Sequence, residues 1–402
     1  MKQAIKTALL SLIVGLTTLT TFAENHKQAE VFQCLSQEQL PIVYHEKYNI
    51  SCGAFLDALI GQFHPFDGKK YSKVYAYLRD VLHLEKDQFY EPQRATDADL
   101  AIVHSQAYLK SLSSSKVISR AIDLKEAVAW IPNHMFQKNL LDAMRYATNG
   151  SVLAADLALK HGWAINIGGG YHHAKYDSGA GGCIFGDIQL AIEKLWLQYP
   201  DLNVLIVDLD AHQGNGYSSY FKKSFNTHDQ KVFIFDMYNK NEYPFNKYWD
   251  EVDDSYQYLD FGIPLNGGNL ACKIGPINCA SIDYLHLTEK TENRRLSDKK
   301  YLGLLHQYLP KAINMLISKN KKPGLIIYNA GTDPFKKDSW GGMNVSYEGI
   351  IARDAFVWQQ AKNFNIPIMM VTSGGYSAES PHLIAATIKN VLLDKQIIKQ
   401  IN

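Results

Sequence analysis

Residues 203–216 read Asn203-Val-Leu-Ile-Val-Asp-Leu-Asp-Ala-His-Gln-Gly-Asn-Gly216, an apolar run that leads directly into Asp208, Asp210 and His212. Four aliphatic residues in succession are typical of a buried strand in a parallel sheet. Alternate side chains of a strand share a face, so these three groups can meet at one point if the extended pairing persists. Carboxylate oxygens and an imidazole nitrogen suit a zinc-type ion. The alternative is a polar loop that follows a buried strand and binds nothing.

From about residue 163 onward, short apolar runs alternate with longer amphipathic ones, the pattern of parallel strands joined by crossover helices. The runs that predict strands are residues 163–167, 204–207, 232–235, 325–328 and 368–371. The residues with helical spacing are Val152, Ala155 and Leu159 before Gly162, then Ile188, Ile192 and Leu195, and finally Ile384, Ile388 and Val391. Together they predict an α/β fold with one mainly parallel sheet flanked by helices. Residues 245–300 break this rhythm, and we predict an inserted excursion there, inside a single domain over residues 24–402.

Further polar residues follow the other predicted strands, and ligands of open α/β sheets bind at the carboxyl ends of the strands. Gly168, Gly169 and Gly170 precede His172 and His173. Residues without side chains let the backbone approach a ligand closely. Imidazoles titrate near neutral pH, so a histidine pair beside a metal is suited to proton transfer. The alternative is a structural or surface role, which is the usual one for a single histidine.

Two more strand ends carry the runs Asn329-Ala-Gly-Thr-Asp333 and Thr372-Ser-Gly-Gly-Tyr376. With Asp210 and His212, Asp333 makes three protein ligands, the number that leaves a catalytic zinc an open position. The alternative for Asp333 is a helix N-cap or a turn. Tyr376 follows a glycine pair and is predicted to donate a hydrogen bond to an oxyanion that develops during reaction.

The overall charge and the N-terminus bear on partners and location. The 402 residues carry 41 basic and 40 acidic side chains, and this balance lacks the basic footprint of a nucleic-acid-binding protein. Lys2 and Lys6 precede an apolar run over residues 7–22, which predicts a secretory signal peptide over residues 1–23. That run is shorter than the roughly 20 residues that a spanning helix needs, so no membrane span is expected in the mature chain.

Export would place the cysteines where disulfides persist. Cys34 lies near Cys52 in the sequence and Cys272 lies near Cys279, whereas Cys183 stands apart. Two bridges with one free thiol and five unpaired thiols both fit this spacing.

These motifs resemble those of the zinc-dependent histone deacetylases, most closely the class IV members. The residues that carry the resemblance are Val43-Tyr-His-Glu-Lys-Tyr-Asn49, His64-Pro-Phe-Asp67, Gly169-Gly-Tyr-His-His-Ala174, Asp208-Leu-Asp-Ala-His-Gln-Gly-Asn-Gly216, Asn329-Ala-Gly-Thr-Asp333 and Thr372-Ser-Gly-Gly-Tyr376. The resemblance covers residues 40–395 and implies the three-layer arginase/deacetylase fold. It also implies that Asp210, His212 and Asp333 hold one zinc ion. Asp208 would support His172 and help to hold a structural potassium ion.

The implied activity is hydrolysis of acyl groups from lysine side chains of protein or peptide substrates, histones among them. By resemblance, His173 is the general base and then the acid toward the leaving amine, while His172 acts electrostatically. The sequence alone leaves these two roles open. Tyr376 would assist as the oxyanion donor.

Two positions depart from the family pattern, and both concern the reacting group. Asn215 stands where class I relatives have an aspartate, so His173 has an uncharged partner and its basicity is expected to differ. The aromatic residue that usually precedes Cys183 in the acyl-lysine channel is Gly182 here, while Gly170 and Tyr243 remain expected channel residues. A missing aromatic wall predicts acceptance of longer acyl groups, in line with the fatty-acyl preference of class IV.

Three other functions compete with this one. The first is deacetylation of acetylpolyamines or other small acylated amines, and the second is a catalytically silent acyl-lysine binding module. The third is dinuclear manganese hydrolysis like that of arginases. The complete set of three ligands, two histidines and Tyr376 argues against a silent module. The signal-like N-terminus predicts a periplasmic or secreted enzyme, with a cytoplasmic enzyme or one delivered to a host cell as the alternatives.

Overall fold

The structure is a computed structural model, and it describes residues 30–51, 57, 65–124, 128–224, 231–239, 242–244, 259–264, 272–274, 277–278 and 298–401. The predicted signal peptide, His64 and most of the predicted excursion lie outside the described residues, as do Cys52 and Cys279.

The strands and helices alternate along the chain as the sequence predicts. Strands β1 to β11 are Val31–Cys34, Ile42–Val43, Trp163–Asn166, Val204–Asp208, Val232–Tyr238, Leu259–Pro264, Cys272–Ile274, Ile277–Asn278, Leu325–Asn329, Ile368–Val371 and Ile398–Ile401. Helices α1 to α11 are Lys70–Asp80, Asp97–Leu100, Gln106–Ser111, Ser115–Ala121, Asn133–Phe136, Asp142–His161, Asp187–Gln198, Asn215–Ser224, Asp298–Ser318, Tyr347–Asn363 and Ser380–Asp394. Short helical turns at Glu46–Tyr48 and Lys86–Gln88 and a π-helical turn at Gln137–Leu141 complete these elements.

The main sheet has the strand order β2-β3-β10-β9-β4-β5-β6-β7-β8. Every pair from β2 to β6 is parallel, and only β7 and β8 at the far edge run antiparallel. Strands β6 to β8 come from the interval 245–300, so the described part of that interval extends the sheet. A separate antiparallel ribbon joins β1 to β11. The predicted mainly parallel sheet is therefore confirmed.

Helices cover both faces of the sheet, because each central strand is apolar on both sides. In β10, Ile368 and Met370 belong to the core that includes residues of α9, α10 and α11. Met369 and Val371 point the other way, into the core formed with α6 and α7. This alternation is the period of two that strands impose on their side chains. It produces the three-layer arrangement that the sequence predicts.

The five strands predicted from apolar runs are present, with small differences at their ends. Ile167 lies outside β3, whereas β4 extends to Asp208 and β5 extends to Tyr238. Helix α6 ends at His161. The next residue, Gly162, caps the helix in the left-handed conformation with φ +79°, which residues with a Cβ avoid.

The register of the central strands brings their carboxyl ends to one level. Asp208 in β4 pairs with Asn329 in β9, and Val371 in β10 pairs with both Asn329 and Asn166 of β3. The loops that follow these four strands therefore open at the same edge of the sheet. Within the part of the chain that the structure describes, none of the helices combines the length and apolar character needed to cross a membrane.

Candidate metal centre and active site

The three predicted metal ligands come together at this edge of the sheet. One ligand atom from each of Asp210, His212 and Asp333 lies within 4.8 Å of the other two, and all three residues are buried. His212 Nδ1 is 3.1 Å from an Asp210 oxygen and 2.9 Å from an Asp333 oxygen. Two carboxylates and one imidazole thus face a common point, as a catalytic zinc site with an open position requires.

Asp210 and His212 do not reach this point by the alternation of side chains along a strand. Strand β4 ends at Asp208, so Asp210 and His212 lie in the loop that follows it. Hydrogen bonds shape the loop: Asp210 N donates to Asp208 Oδ1 over 3.0 Å, and Ala211 N donates to Asp333 Oδ1 over 2.7 Å. A tight loop, and not continued β pairing, turns both ligands toward Asp333.

Two glycines let the neighbouring loops close on the ligands. A Cβ at Gly331 would lie 2.1 Å from Asp210 Oδ2, and a Cβ at Gly374 would lie 2.4 Å from the same oxygen. Gly374 N also donates to Asp210 Oδ2 over 2.9 Å. Larger residues at either position would displace a ligand.

The charges of the site fit a cation. Burial, together with the charge of Asp210, raises the pKa of Asp333 to about 7. Two carboxylates in one buried site repel each other, and a divalent ion at their meeting point would offset both the repulsion and the burial cost. The donor set and the electrostatics therefore both suit zinc.

His172 has a charged partner. Its Nδ1 lies 2.8 Å from Asp208 Oδ2, and Asp208 also accepts hydrogen bonds from Tyr217 and Asn329. Burial would lower the pKa of His172, but the charges of Asp208 and Asp210 outweigh it and raise that pKa to about 8. The Asp208 carboxylate thus favours an imidazolium at His172.

His173 has a neutral partner. Its Nδ1 lies 2.8 Å from Asn215 Oδ1, and its ring lies 4.1 Å from the ring of His172. Burial and the neighbouring histidines His172 and His212 hold the pKa of His173 well below its usual range. The two adjacent imidazoles are therefore electrostatically distinct.

Tyr376, the predicted oxyanion donor, lies near the ligand His212 and near Trp340. Its ring is 6.1 Å from the ring of His212 and 4.9 Å from the ring of Trp340. Asp338 holds this segment, because its Oδ2 accepts from the backbone N–H groups of Tyr376 and Ser377. Burial and the charges of Asp210 and Asp333 raise the pKa of Tyr376 well above its usual range. The phenol stays protonated, as a hydrogen-bond donor must.

The glycine-rich segment before the histidines is anchored by a buried carboxylate. Asp187, at the start of α7, accepts hydrogen bonds from Gly170 N over 2.7 Å, Tyr171 N over 2.8 Å and Ser151 Oγ over 2.6 Å. Gly169 and Gly170 have φ values of +72° and +80°, which glycine adopts without strain. This anchor sets the direction in which His172 and His173 leave the strand.

A cavity of about 450 Å³ opens next to the histidines and Tyr376. Gly170, His172, Gly182 and Tyr376 line it, together with the apolar side chains of Ile122, Leu124, Phe136, Leu140 and Met144. Among the described residues, no atom lies within 4 Å of the point where a Cβ of residue 182 would stand. The Tyr243 ring lies 4.9 Å from the ring of His173.

The structure adds residues that the sequence reasoning missed: Lys70, Asp187, Asp338, Trp340 and Arg353. Lys70 is fully buried and donates to Ser373 O over 2.7 Å, and burial lowers its pKa to about 8. In the sequence these are isolated charged or aromatic residues at ordinary spacing, so no local signal distinguishes them from surface groups. Only the tertiary contacts show that they support the site.

The cysteine question is answered in part. Cys34 and Cys183 are free thiols, and Cys183 is buried beside the channel. Cys34 thus forms no disulfide with another described cysteine, while Cys52 and Cys279 lie outside the described residues.

Comparisons with known proteins identify the family of this chain. Residues 64–392 match the family model of the histone deacetylase domain. Histone deacetylase 2 of Arabidopsis thaliana is 36% identical over 353 residues, which cover 88% of this chain and 79% of that protein. Histone deacetylase 1 of Homo sapiens is 25% identical over 322 residues, 79% of this chain and 58% of that protein.

The fold also matches a solved structure, the crystal structure of the HDA15 HD domain. The TM-score is 0.60 with 18% sequence identity, and the match covers 90% of each chain. This likeness supports the three-layer fold, and the sequence matches supply the family. The chain belongs to the histone deacetylase family, whose members are metal-dependent hydrolases.

Proposed function

We propose that this protein is a zinc-dependent lysine deacylase that acts on acylated proteins or peptides, with one zinc ion per chain. The observation that carries the proposal is the convergence of Asp210, His212 and Asp333 within 4.8 Å, next to a histidine pair of which His172 lines an apolar cavity. We place the enzyme closest to class IV on its sequence motifs. A structural potassium ion near Asp208 stays a prediction.

Asp210, His212 and Asp333 would hold the zinc ion, which would supply Lewis acidity toward the acyl carbonyl and the attacking water near neutral pH. The residues of the chain do the rest. His173, kept neutral by burial, takes the proton from water and later gives it to the leaving lysine amine. His172, whose Nδ1 contacts the Asp208 carboxylate, stabilises negative charge that develops beside it. Tyr376 donates its phenol proton in a hydrogen bond to the oxyanion.

We infer that the enzyme accepts long acyl chains. Ligand pockets usually enclose roughly 300–1,000 Å³, and this cavity of about 450 Å³ is larger than an acetyl group needs. Five apolar side chains line it, and each methylene buried against them would contribute about 0.8 kcal/mol. Gly182 leaves the channel open on one side. A longer chain therefore gains contact without a clash at the entrance.

The test is a series of acyl-lysine peptides from acetyl to long-chain acyl, run with and without a zinc chelator. Wild type should show kcat/KM that rises with chain length, by up to about fourfold per methylene. Gly182→Phe should lower the ratio of long-chain to acetyl activity, because the ring narrows the channel. Gly182→Ala is the matched control, since it imposes the same backbone strain at φ +77° without the ring.

A sharp maximum at acetyl in wild type would refute the inference on chain length but leave the deacylase. Turnover of acetylpolyamines well above that of any peptide would instead refute the protein substrate. Activity that survives a strong chelator would contradict the zinc-dependent reaction itself.

We also propose that the protein is exported, on the strength of Lys2, Lys6 and the apolar run that follows them. Expression in a bacterial host followed by N-terminal sequencing of the exported fraction should give a chain that starts at Glu24. Leu12→Arg, which interrupts the apolar run, should keep the protein in the cytoplasm. An intact Met1 on wild-type protein that stays in the cytoplasm would contradict export.

A further inference from the structure

Arg353 on α10 is a fully buried cation directly beneath the candidate metal centre. Its side chain is 0% exposed. One terminal nitrogen, Nη1, donates to Leu209 O over 2.9 Å and to Gly331 O over 2.7 Å. Leu209 precedes the ligand Asp210 in the loop after β4, and Gly331 precedes the ligand Asp333 by two residues in the loop after β9. A single group thus joins the two loops that carry the metal ligands.

The other side of the guanidinium is held by a carboxylate. Arg353 Nε donates to Asp354 Oδ1 over 2.8 Å, and Nη2 lies 2.7 Å from the same oxygen. Asp354 is itself buried, and it accepts hydrogen bonds from Tyr328 of β9 and Thr387 of α11. The guanidinium therefore has one fixed position, set by a strand and two helices.

A buried ion pair of this kind contributes little to the stability of the fold by itself. A buried ion pair pays desolvation for both charges, and well-packed apolar residues of the same volume are often as stable. A guanidinium, however, presents five donors in a rigid planar fork, so it can bridge two carbonyls while it pairs with a carboxylate. An ammonium lacks this fork, and an apolar side chain would leave both carbonyls unpaired.

Metal ligands need such support, because a site binds well only when its ligands are held within about 0.5 Å of the productive geometry. Leu209 and Gly331 lie in the loops that follow two different strands, β4 and β9, and the spacing of these loops sets how far Asp210 and His212 lie from Asp333. We propose that Arg353 is a positioning residue that couples these two loops and thereby sets the zinc affinity of the centre. The inference rests on the proposed zinc site.

The test measures the zinc dissociation constant of the full chain by competition with a chelator. The free energy of unfolding of the zinc-free protein is measured for the same variants. Arg353→Lys should bind zinc at least tenfold more weakly, since groups that orient metal ligands typically contribute 10–100-fold. Arg145→Lys is the matched control. Arg145 is 8% exposed, donates to Ala95 O and pairs with Asp97, on a different helix from Arg353. This control should lose stability but keep its zinc affinity within about twofold.

A milder variant covers the case in which Arg353→Lys does not fold. Thr387→Val removes one donor to Asp354 with little change of shape, and it should raise the zinc dissociation constant several-fold. If wild type binds zinc tightly and the variant that folds binds zinc with the same affinity, the positioning role of Arg353 is overturned. The proposed metal centre would not be affected by that result. A wild type that binds no zinc overturns the proposed metal centre, and the positioning role with it.

Discussion

At the scale of single residues, the two adjacent histidines of the candidate site differ in the groups that contact their Nδ1 atoms. His172 meets the Asp208 carboxylate at 2.8 Å, whereas His173 meets the amide oxygen of Asn215 at 2.8 Å. An anionic partner favours the imidazolium and a neutral partner does not. These partners contribute to the opposite pKa shifts of the two histidines, together with burial and the neighbouring charged groups.

Asn215→Asp should move the acidic limb of the pH profile toward higher pH. The new carboxylate favours protonation of His173 and so raises its pKa, which means that the general base is lost at a higher pH than in wild type. The measurement is kcat/KM against pH on an acyl-lysine peptide. An acidic limb that stays in place would contradict the assignment of His173 as the base.

Tyr376→Phe should lower kcat by about 10²–10³, because one oxyanion donor is removed while the ring remains. Zinc content should stay at the wild-type level, since Tyr376 is not among the three grouped ligands. Single-turnover kinetics and metal analysis on the same sample measure both. A variant with near-wild-type kcat would show that the phenol does not act on the reacting carbonyl.

At the scale of elements, the site depends on how closely the loops after β4, β9 and β10 approach one another. Gly331 and Gly374 both face Asp210 Oδ2 at distances that exclude a Cβ. The strands set the level of these loops, and the glycines set their separation. The two glycines therefore act through backbone approach and carry no chemistry of their own.

Gly331→Ala should weaken zinc binding and activity together, because its Cβ would lie 2.1 Å from a ligand oxygen and must displace it. Gly303→Ala is the matched control: Gly303 is an exposed position of α9, and a Cβ there would meet nothing within 4 Å. Alanine should stabilise that helix by about 0.5–1 kcal/mol and leave zinc affinity unchanged. Equal zinc affinity in both variants would contradict the tight packing around Asp210.

At the scale of the whole molecule, the fold concentrates buried charge at one end of its sheet. Asp208, Asp210 and Asp333 are each 0% exposed, and two histidines lie beside them. Such a cluster opposes folding unless partners or a cation compensate it. We therefore expect metal binding and folding stability to be linked.

Zinc at about 100 times its dissociation constant should raise the free energy of unfolding by about 2.7 kcal/mol, because the ion binds only the folded chain. Calorimetry of the chelated and zinc-loaded protein measures this difference. The Asp210→Asn variant should show a much smaller difference. An unfolding transition that is the same with and without zinc would contradict the linkage.

The central strands and the identity of the ligands were predictable from sequence, since both have strong local signals. Continuous apolar runs such as residues 204–207 predict buried parallel strands, and the polar residues after them predict a site at the carboxyl edge. The prediction from strand alternation was less accurate, because β4 ends at Asp208 and a loop directs Asp210 and His212. Loop geometry follows from hydrogen bonds to other segments, such as that of Ala211 N to Asp333, which no local pattern encodes.

The sequence by itself determined the chemistry that is present: the donor atoms of the metal centre, the histidine pair, the neutral Asn215 and the missing aromatic at Gly182. These follow from residue identity and order along the chain. Only the tertiary structure decided how that chemistry is held, as in the bridge from Arg353 to two loops and the anchor at Asp187. The physical reason is that burial and distance between remote segments set both pKa values and ligand geometry, and they exist only once the sheet has assembled.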